Sequence, residues 1–179
     1  WDAAAGVWRG GGLTRLETQG TADHSDDVWS LPVTYANTYR SELNGQEQPG
    51  LVSDNINDLA LAKDGDLWIA TAPHWLLTKG PNQEAAEQVW VRVHGGLSRI
   101  ETSGSRDRKD DKIQGFSCQD ADVTITCNMA ALVIDGQNRG WAAIGGRGLM
   151  WFDAGLASIQ DDEDHRVSMP DRGGLVGDA

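Results

Sequence analysis

The stretch Asp54-Asn55-Ile56-Asn57-Asp58-Leu59-Ala60-Leu61-Ala62-Lys63-Asp64-Gly65-Asp66-Leu67-Trp68-Ile69-Ala70-Thr71 decides the fold. It reads as an apolar strand, a tight turn and a second apolar strand. The turn residues Lys63-Asp64-Gly65-Asp66 are of the kind that accept positive φ between paired strands. The stretch returns downstream: residues 127–145 lie over it with Asn55 on Asn128, Ile56 on Met129, Leu59 on Leu132 and Trp68 on Trp141. The second turn, Asp135-Gly136-Gln137-Asn138-Arg139, has the same chemistry.

A second block repeats beside the first. Gly11-Gly12-Leu13-Thr14-Arg15-Leu16-Glu17-Thr18 reappears as Gly95-Gly96-Leu97-Ser98-Arg99-Ile100-Glu101-Thr102. The match continues from Gly20 to Asp27 over Gly104 to Asp111. A weaker third copy is Gly146-Arg147-Gly148-Leu149-Met150-Trp151-Phe152-Asp153, followed by Asp161-Asp162-Glu163-Asp164. Internal self-similarity outranks local propensity as a signal of architecture. The unit is therefore an antiparallel meander of three strands, with a fourth in the linking segment. Helical periodicity is poor; only Gln83 to Gln88 favours a helix, and it is too short to form one alone.

The paired blocks, Asn55 to Thr71 with Gly95 to Ile100 and Asn128 to Gly145 with Gly148 to Phe152, resemble the propeller repeat of extracytoplasmic two-component-regulator sensors. They cover rather under half of the chain. The resemblance implies an all-β protein of β-propeller blades, with ligand sensing or protein docking outside the cytoplasm. One departure stands out: residues 72–94, with His74, Trp75 and Trp90, interrupt the first unit where the family repeat is compact. Val7-Trp8 mirrors Val89-Trp90, so the chain reads as starting in mid-blade.

Blades take roughly 40 to 50 residues and closed rings need about 4 to 8 of them. The 179 residues then divide into a partial blade and long loop (1–50), a blade with an insert (51–111), a second blade (112–160), and the start of another blade or a tail (161–179). The expectation is an incomplete arc. The remainder of a longer polypeptide, or other subunits, would complete it, because open sheet edges otherwise seek new partners. A four-blade ring follows only if Val89 to Val93 is itself a blade strand.

Composition narrows the partners. Trp 8 and Gly 22 stand against Phe 2 and Tyr 2, the signature of one aromatic reused beside glycine turns. Lys+Arg 15 against Asp+Glu 27 gives a net charge of −12, which disfavours nucleic acid and anionic membrane surfaces. No apolar run reaches the roughly 20 residues of a membrane helix. The chain begins at Trp1 without a basic or apolar leader, which reads as a removed targeting segment or an internal stretch of a longer chain.

No catalytic constellation emerges, and we expect a non-enzymatic module for recognition or scaffolding. Histidines 24, 74, 94 and 165 are scattered, without HxH or HExxH spacing. A lyase-type ring, as in streptogramin-lyase-like propellers, would need a histidine and a carboxylate on the axis. Contacts are expected through the inserts, at Trp75, Trp90 and Tyr39, since Trp68 and Trp141 are occupied in packing. Val33 to Gly50 reads as a long polar inter-blade loop.

Asp23, Asp26 and Asp27 recur as Asp107, Asp110 and Asp111, and these could offer hard oxygens to Ca²⁺ in a stabilised surface assembly. Solvated turns are the plainer reading, and Arg106, Arg108 and Lys109 oppose a cation in the second copy. Cys118 and Cys127 lack metal-site spacing and are either buried thiols or a disulfide closing a short loop. We take the disulfide, which implies an oxidising, extracytoplasmic compartment. Thiol titration of the unfolded, unreduced chain should then find no free cysteine. Reduction should lower stability by roughly 2.5 to 3 kcal/mol.

Overall fold

A computed structural model describes residues 12–29, 39–40, 47–48, 50–79, 88–103, 111–117, 128–145, 148–155 and 166–167. Within these, residues 39–40, 47–48, 76–79, 88–89, 91, 117 and 166–167 are described by their backbone alone. The chain is all-β, built from antiparallel sheets. The strands in order are β1 (Leu16–Glu17), β2 (Val28–Trp29), β3 (Tyr39–Arg40), β4 (Glu47–Gln48), β5 (Asn55–Leu61), β6 (Leu67–Ala72) and β7 (His74–Lys79). Then come β8 (Gln88–Val93), β9 (Gly96–Glu101), β10 (Lys112–Ser117), β11 (Met129–Ile134), β12 (Arg139–Ile144), β13 (Gly148–Asp153) and β14 (Arg166–Val167).

Two four-stranded meanders form the body, with strand orders β10-β9-β6-β5 and β11-β12-β13-β14. The repeat is legible strand by strand. In the first sheet Trp68 lies opposite Ala60, and in the second Trp141 lies opposite Val133. The edge strands β5 and β11 each carry a one-residue irregularity at the same place, between Ile56 and Asp58 and between Met129 and Ala131. The turns match too. Gly65 at φ 94° and Asn138 at φ 63° occupy the same left-handed position, which glycine and asparagine tolerate best. Gln19 and Ser103, paired by the Gly-Gly-Leu block, both sit at φ 51°.

Lys112–Ser117, which the repeat spacing puts at the head of the next unit, pairs with β9 and closes the first sheet. Residues 166–167 likewise pair with β13 and belong to the second sheet, beyond position 160. Val89 to Val93 pairs with β7 in a separate hairpin, so it adds no further four-stranded sheet. Within Val33 to Gly50, Tyr39 pairs with Gln48 and Arg40 with Glu47. Cys118 and Cys127 lie outside the described residues, as do Asp107 and Asp110.

The sheets pack face to face. Trp68, Ala70 and Leu97 of the first bury against Met129, Leu132, Ala142, Ile144, Phe152 and Ala154 of the second. Trp68 is 0% exposed, with its ring 4.6 Å from that of Phe152 and 5.7 Å from that of Phe116. Its indole N–H donates to the carbonyl of Ala154 at 3.3 Å. Strands β5 and β11 are also clamped together at the first irregularity. Asn57 Nδ2 donates to the carbonyl of Met129 at 2.8 Å, and Leu132 N–H donates to Asp58 Oδ2 at 2.8 Å. A bulge re-aims its residues off the regular pleat, and here it turns two polar side chains onto the neighbouring sheet.

The opposite face of the first sheet packs Ile69, Ile100 and Ile113 against Leu51, with Leu13 beside them. Leu59 and Leu61 on β5 stay 44% and 68% exposed. The second sheet repeats the Trp68 face in Val133, Trp141 and Trp151, aligned across three strands. Trp141 is only half-buried there and Val133 is 57% exposed. The sequence equates Trp68 with Trp141 as packing residues; their register agrees, but the described residues cover only the first.

Trp68→Ala should cost about 3–5 kcal/mol and Trp141→Ala less than half of that, read as shifts in urea midpoint. Gly140 lies opposite Phe152, and a Cβ there would stand 2.1 Å from the Phe152 ring. Gly140→Ala should therefore destabilise by about 1–3 kcal/mol through overpacking.

Candidate functional site

The insert of residues 72–94 folds as a two-stranded antiparallel hairpin, β7 with β8, in register from His74 opposite Val93 to Lys79 opposite Gln88. It continues the β6–β9 ladder past a break. Thr71 still pairs with Gly96, then Pro73 intervenes, whose nitrogen has no proton for the ladder. An isolated hairpin is marginal in water, so the root must hold it.

That root is polar and local. Ser53 is buried, and its hydroxyl donates to the carbonyl of Ala72 at 2.6 Å. Ser53 Oγ in turn accepts from the backbone N–H of Asn55 at 3.2 Å. His74 Nδ1 lies 2.7 Å from the same oxygen. A hydroxyl has one proton, and the Ala72 carbonyl can only accept. The inventory therefore assigns the proton of this contact to His74 Nδ1, which donates to Ser53. A serine–histidine pair in this state fixes the geometry of the hairpin root. Burial pushes the His74 imidazole below its ordinary pKa, and the nearby Asp54 charge partly opposes this.

Beyond the root the hairpin shows an aromatic and basic face. Trp75 is 60% exposed and Trp90 56% exposed, and Arg92 is exposed beside them. The ladder sets Trp75 opposite Arg92 and Leu77 opposite Trp90, so the two tryptophans and the arginine share one side. The Arg92 guanidinium stands 5.8 Å from the centre of the Trp75 ring, within cation–π range. Trp75 and Trp90, both singled out in sequence, are thus brought together. Tyr39 sits on β3 in a separate two-stranded pair, and only its backbone is described.

The acidic residues build a turn. Asp23, Ser25, Asp26 and Asp27 surround a short 3₁₀ turn, His24–Asp26, between β1 and β2. Asp23 Oδ1 accepts from Ser25 N–H at 2.9 Å, which lowers its pKa. Both Asp26 oxygens lie within 3.0 Å of the Thr21 hydroxyl, and Asp27 Oδ2 lies 3.0 Å from His24 Nδ1. Each carboxylate thus has a local partner. Among the described residues no group of three or more His, Cys, Asp or Glu side chains converges as metal ligands would. Asp111 is half-buried at the head of β10.

Sequence reasoning missed two features. Trp29 on β2 is a third exposed aromatic, at 66%, and its short flanking strand gave no periodic signal. The second is a charge cluster on each tryptophan. Arg99 Nε donates to Asp66 Oδ2 at 2.8 Å, with both residues buried, and its guanidinium lies 5.6 Å from the Trp68 ring. Arg139 Nε donates to Asp135 Oδ2 at 2.8 Å and lies 5.5 Å from the Trp141 ring. The Trp141 indole N–H donates to the same Asp135 oxygen at 3.0 Å and holds that carboxyl far below the usual carboxylate range. The turn alignment puts Asp66 and Arg139 at the same repeat position with opposite charge, so identity matching could not pair them.

Among the described residues no helix is long and apolar enough to cross a membrane. Comparison of the chain with family models, with curated proteins and with solved structures gave no match.

His74 supplies a pH test. Its folded pKa lies below the unfolded value of 6.5, so its contribution to stability is complete above pH 6.5 and declines as pH falls below it. Thermal unfolding between pH 7.5 and 5.5 should show this decline, and His74→Gln should flatten it.

Proposed function

We propose that the chain is part of an extracytoplasmic β-propeller and acts as a non-catalytic recognition or scaffolding module through the β7–β8 hairpin. The observation that carries the reading is the exposure of Trp75 and Trp90 on one side of a hairpin inserted into only one of two equivalent sheets. Exposed tryptophan is costly in water and enriched where proteins grip partners. The sheet framework has no packing use for this pair, because the compact second sheet passes from β12 to β13 without any insert.

The arc reading draws on the repeat. Successive sheets stack with their first strands, β5 and β11, side by side, as blades do. The Val133–Trp141 face and the exposed Leu59 and Leu61 fit further sheets on either side, supplied by more of the same polypeptide or by another subunit. Placement outside the cytoplasm rests on the Cys118–Cys127 disulfide expected from sequence.

The test replaces residues 75–92 with an Asn-Gly turn, which joins His74 to Val93 in a two-residue hairpin loop. Libraries of displayed peptides and domains are selected on the full chain and re-screened on the shortened one. Most enriched clones should lose at least about tenfold in affinity, while the melting temperature changes by only a few degrees. Equal binding to both proteins would refute the proposal.

A further inference from the structure

We propose that the hairpin takes an extended acidic peptide as a third strand along the outer edge of β8. A peptide carboxylate would meet Arg92, and an apolar side chain two residues away would meet Trp90. The inference rests on the hairpin being the recognition surface and names the class of partner it fits.

Charge is the first argument. The chain carries 27 acidic residues against 15 Lys and Arg, yet neither hairpin strand contains an Asp or Glu. The strands His74–Lys79 and Gln88–Val93 hold Lys79 and Arg92 instead. Glu84 and Glu87 fall in the connection between them. The face therefore carries the Arg92 cation with no carboxylate on either strand, and it selects an anion, because the negative body is screened beyond about 8 Å at physiological salt.

Geometry is the second. Among the described residues β7 and β8 pair only with each other, so each strand keeps an edge of backbone N–H and C=O groups to offer. Trp90 and Arg92 both belong to β8, two residues apart, and so face the same side. A strand added along β8 sets its own alternate side chains beside these two. Cation–π contact with the Trp75 ring holds the Arg92 guanidinium in place, and its fork suits a carboxylate. Only a peptide supplies both the ladder and the carboxylate at this spacing.

The test is fluorescence anisotropy on the full chain with a labelled ETITETIT peptide at physiological salt. Four competitors accompany it: QTITQTIT, the parent peptide N-methylated at alternate residues, and an oligogalacturonate and a polyglutamate of matched charge. We expect saturable binding by ETITETIT, weakened at least about tenfold by each of Arg92→Gln, Trp90→Ala, the Glu-to-Gln peptide and N-methylation. Trp29→Ala, on the separate β2 strand, should change it less than twofold. Absence of saturable binding overturns the proposal, as does indifference to Arg92→Gln or to N-methylation. Equal competition by oligogalacturonate or polyglutamate overturns it too, since the face would then read charge on any polymer. Hairpin-dependent library clones without acidic residues would leave the recognition reading standing and remove this one.

Discussion

The structure depends on one indole. Trp68 lies fully buried between two sheets, flanked by Phe116 of its own sheet and Phe152 of the next, with its N–H donated to Ala154. An aromatic side chain brings a large apolar area, but its polar N–H must find an acceptor when water leaves. The Ala154 carbonyl meets that need only if the second sheet arrives in register, so burying the ring and positioning the sheet are the same event. Gly140 is part of that arrangement, since the Phe152 ring occupies the space where a side chain at this position would be.

Around the indole the two sheets share a plan and differ in how they are finished. The irregularity on β5 presents Asn57 and Asp58, which take hold of β11. The matching irregularity on β11 presents Ala130 and Ala131, which have no polar reach. The cation over each tryptophan also comes from a different place: Arg99 from the strand opposite Trp68, Arg139 from the turn end of Trp141's own strand. Trp151 occupies the position corresponding to Arg99. A cation over an indole and a carboxylate bracing the cation are retained although the residues that supply them have moved.

The hairpin inserted between β6 and β9 is of another character. Its root is ordered by Ser53, Ala72 and His74 through short hydrogen bonds in a half-buried setting, whereas the strand positions just beyond it expose aromatic rings and a cation. Rigid support beneath an exposed face limits the entropy lost when a partner docks. The proposed recognition role of the insert rests on that division of labour.

The sequence by itself determined the repeat: two strand–turn–strand blocks, the glycine and asparagine at their left-handed turn positions, and the Gly-Gly-Leu strands that follow. Each of these is a local preference, written in period-two apolarity and in φ, and needs no distant contact to be read. It also marked Trp75 and Trp90 as unneeded by that repeat. Tertiary structure alone decided that Trp68 is buried and Trp141 half-open, although the two occupy identical places in the pattern. It alone joined Arg99 to Asp66, drew Ser53 to His74, and turned the Asn57–Asp58 bulge onto β11. The reason is physical: a repeat fixes which way a side chain faces, but burial and hydrogen bonding depend on what arrives from elsewhere in the chain to meet it.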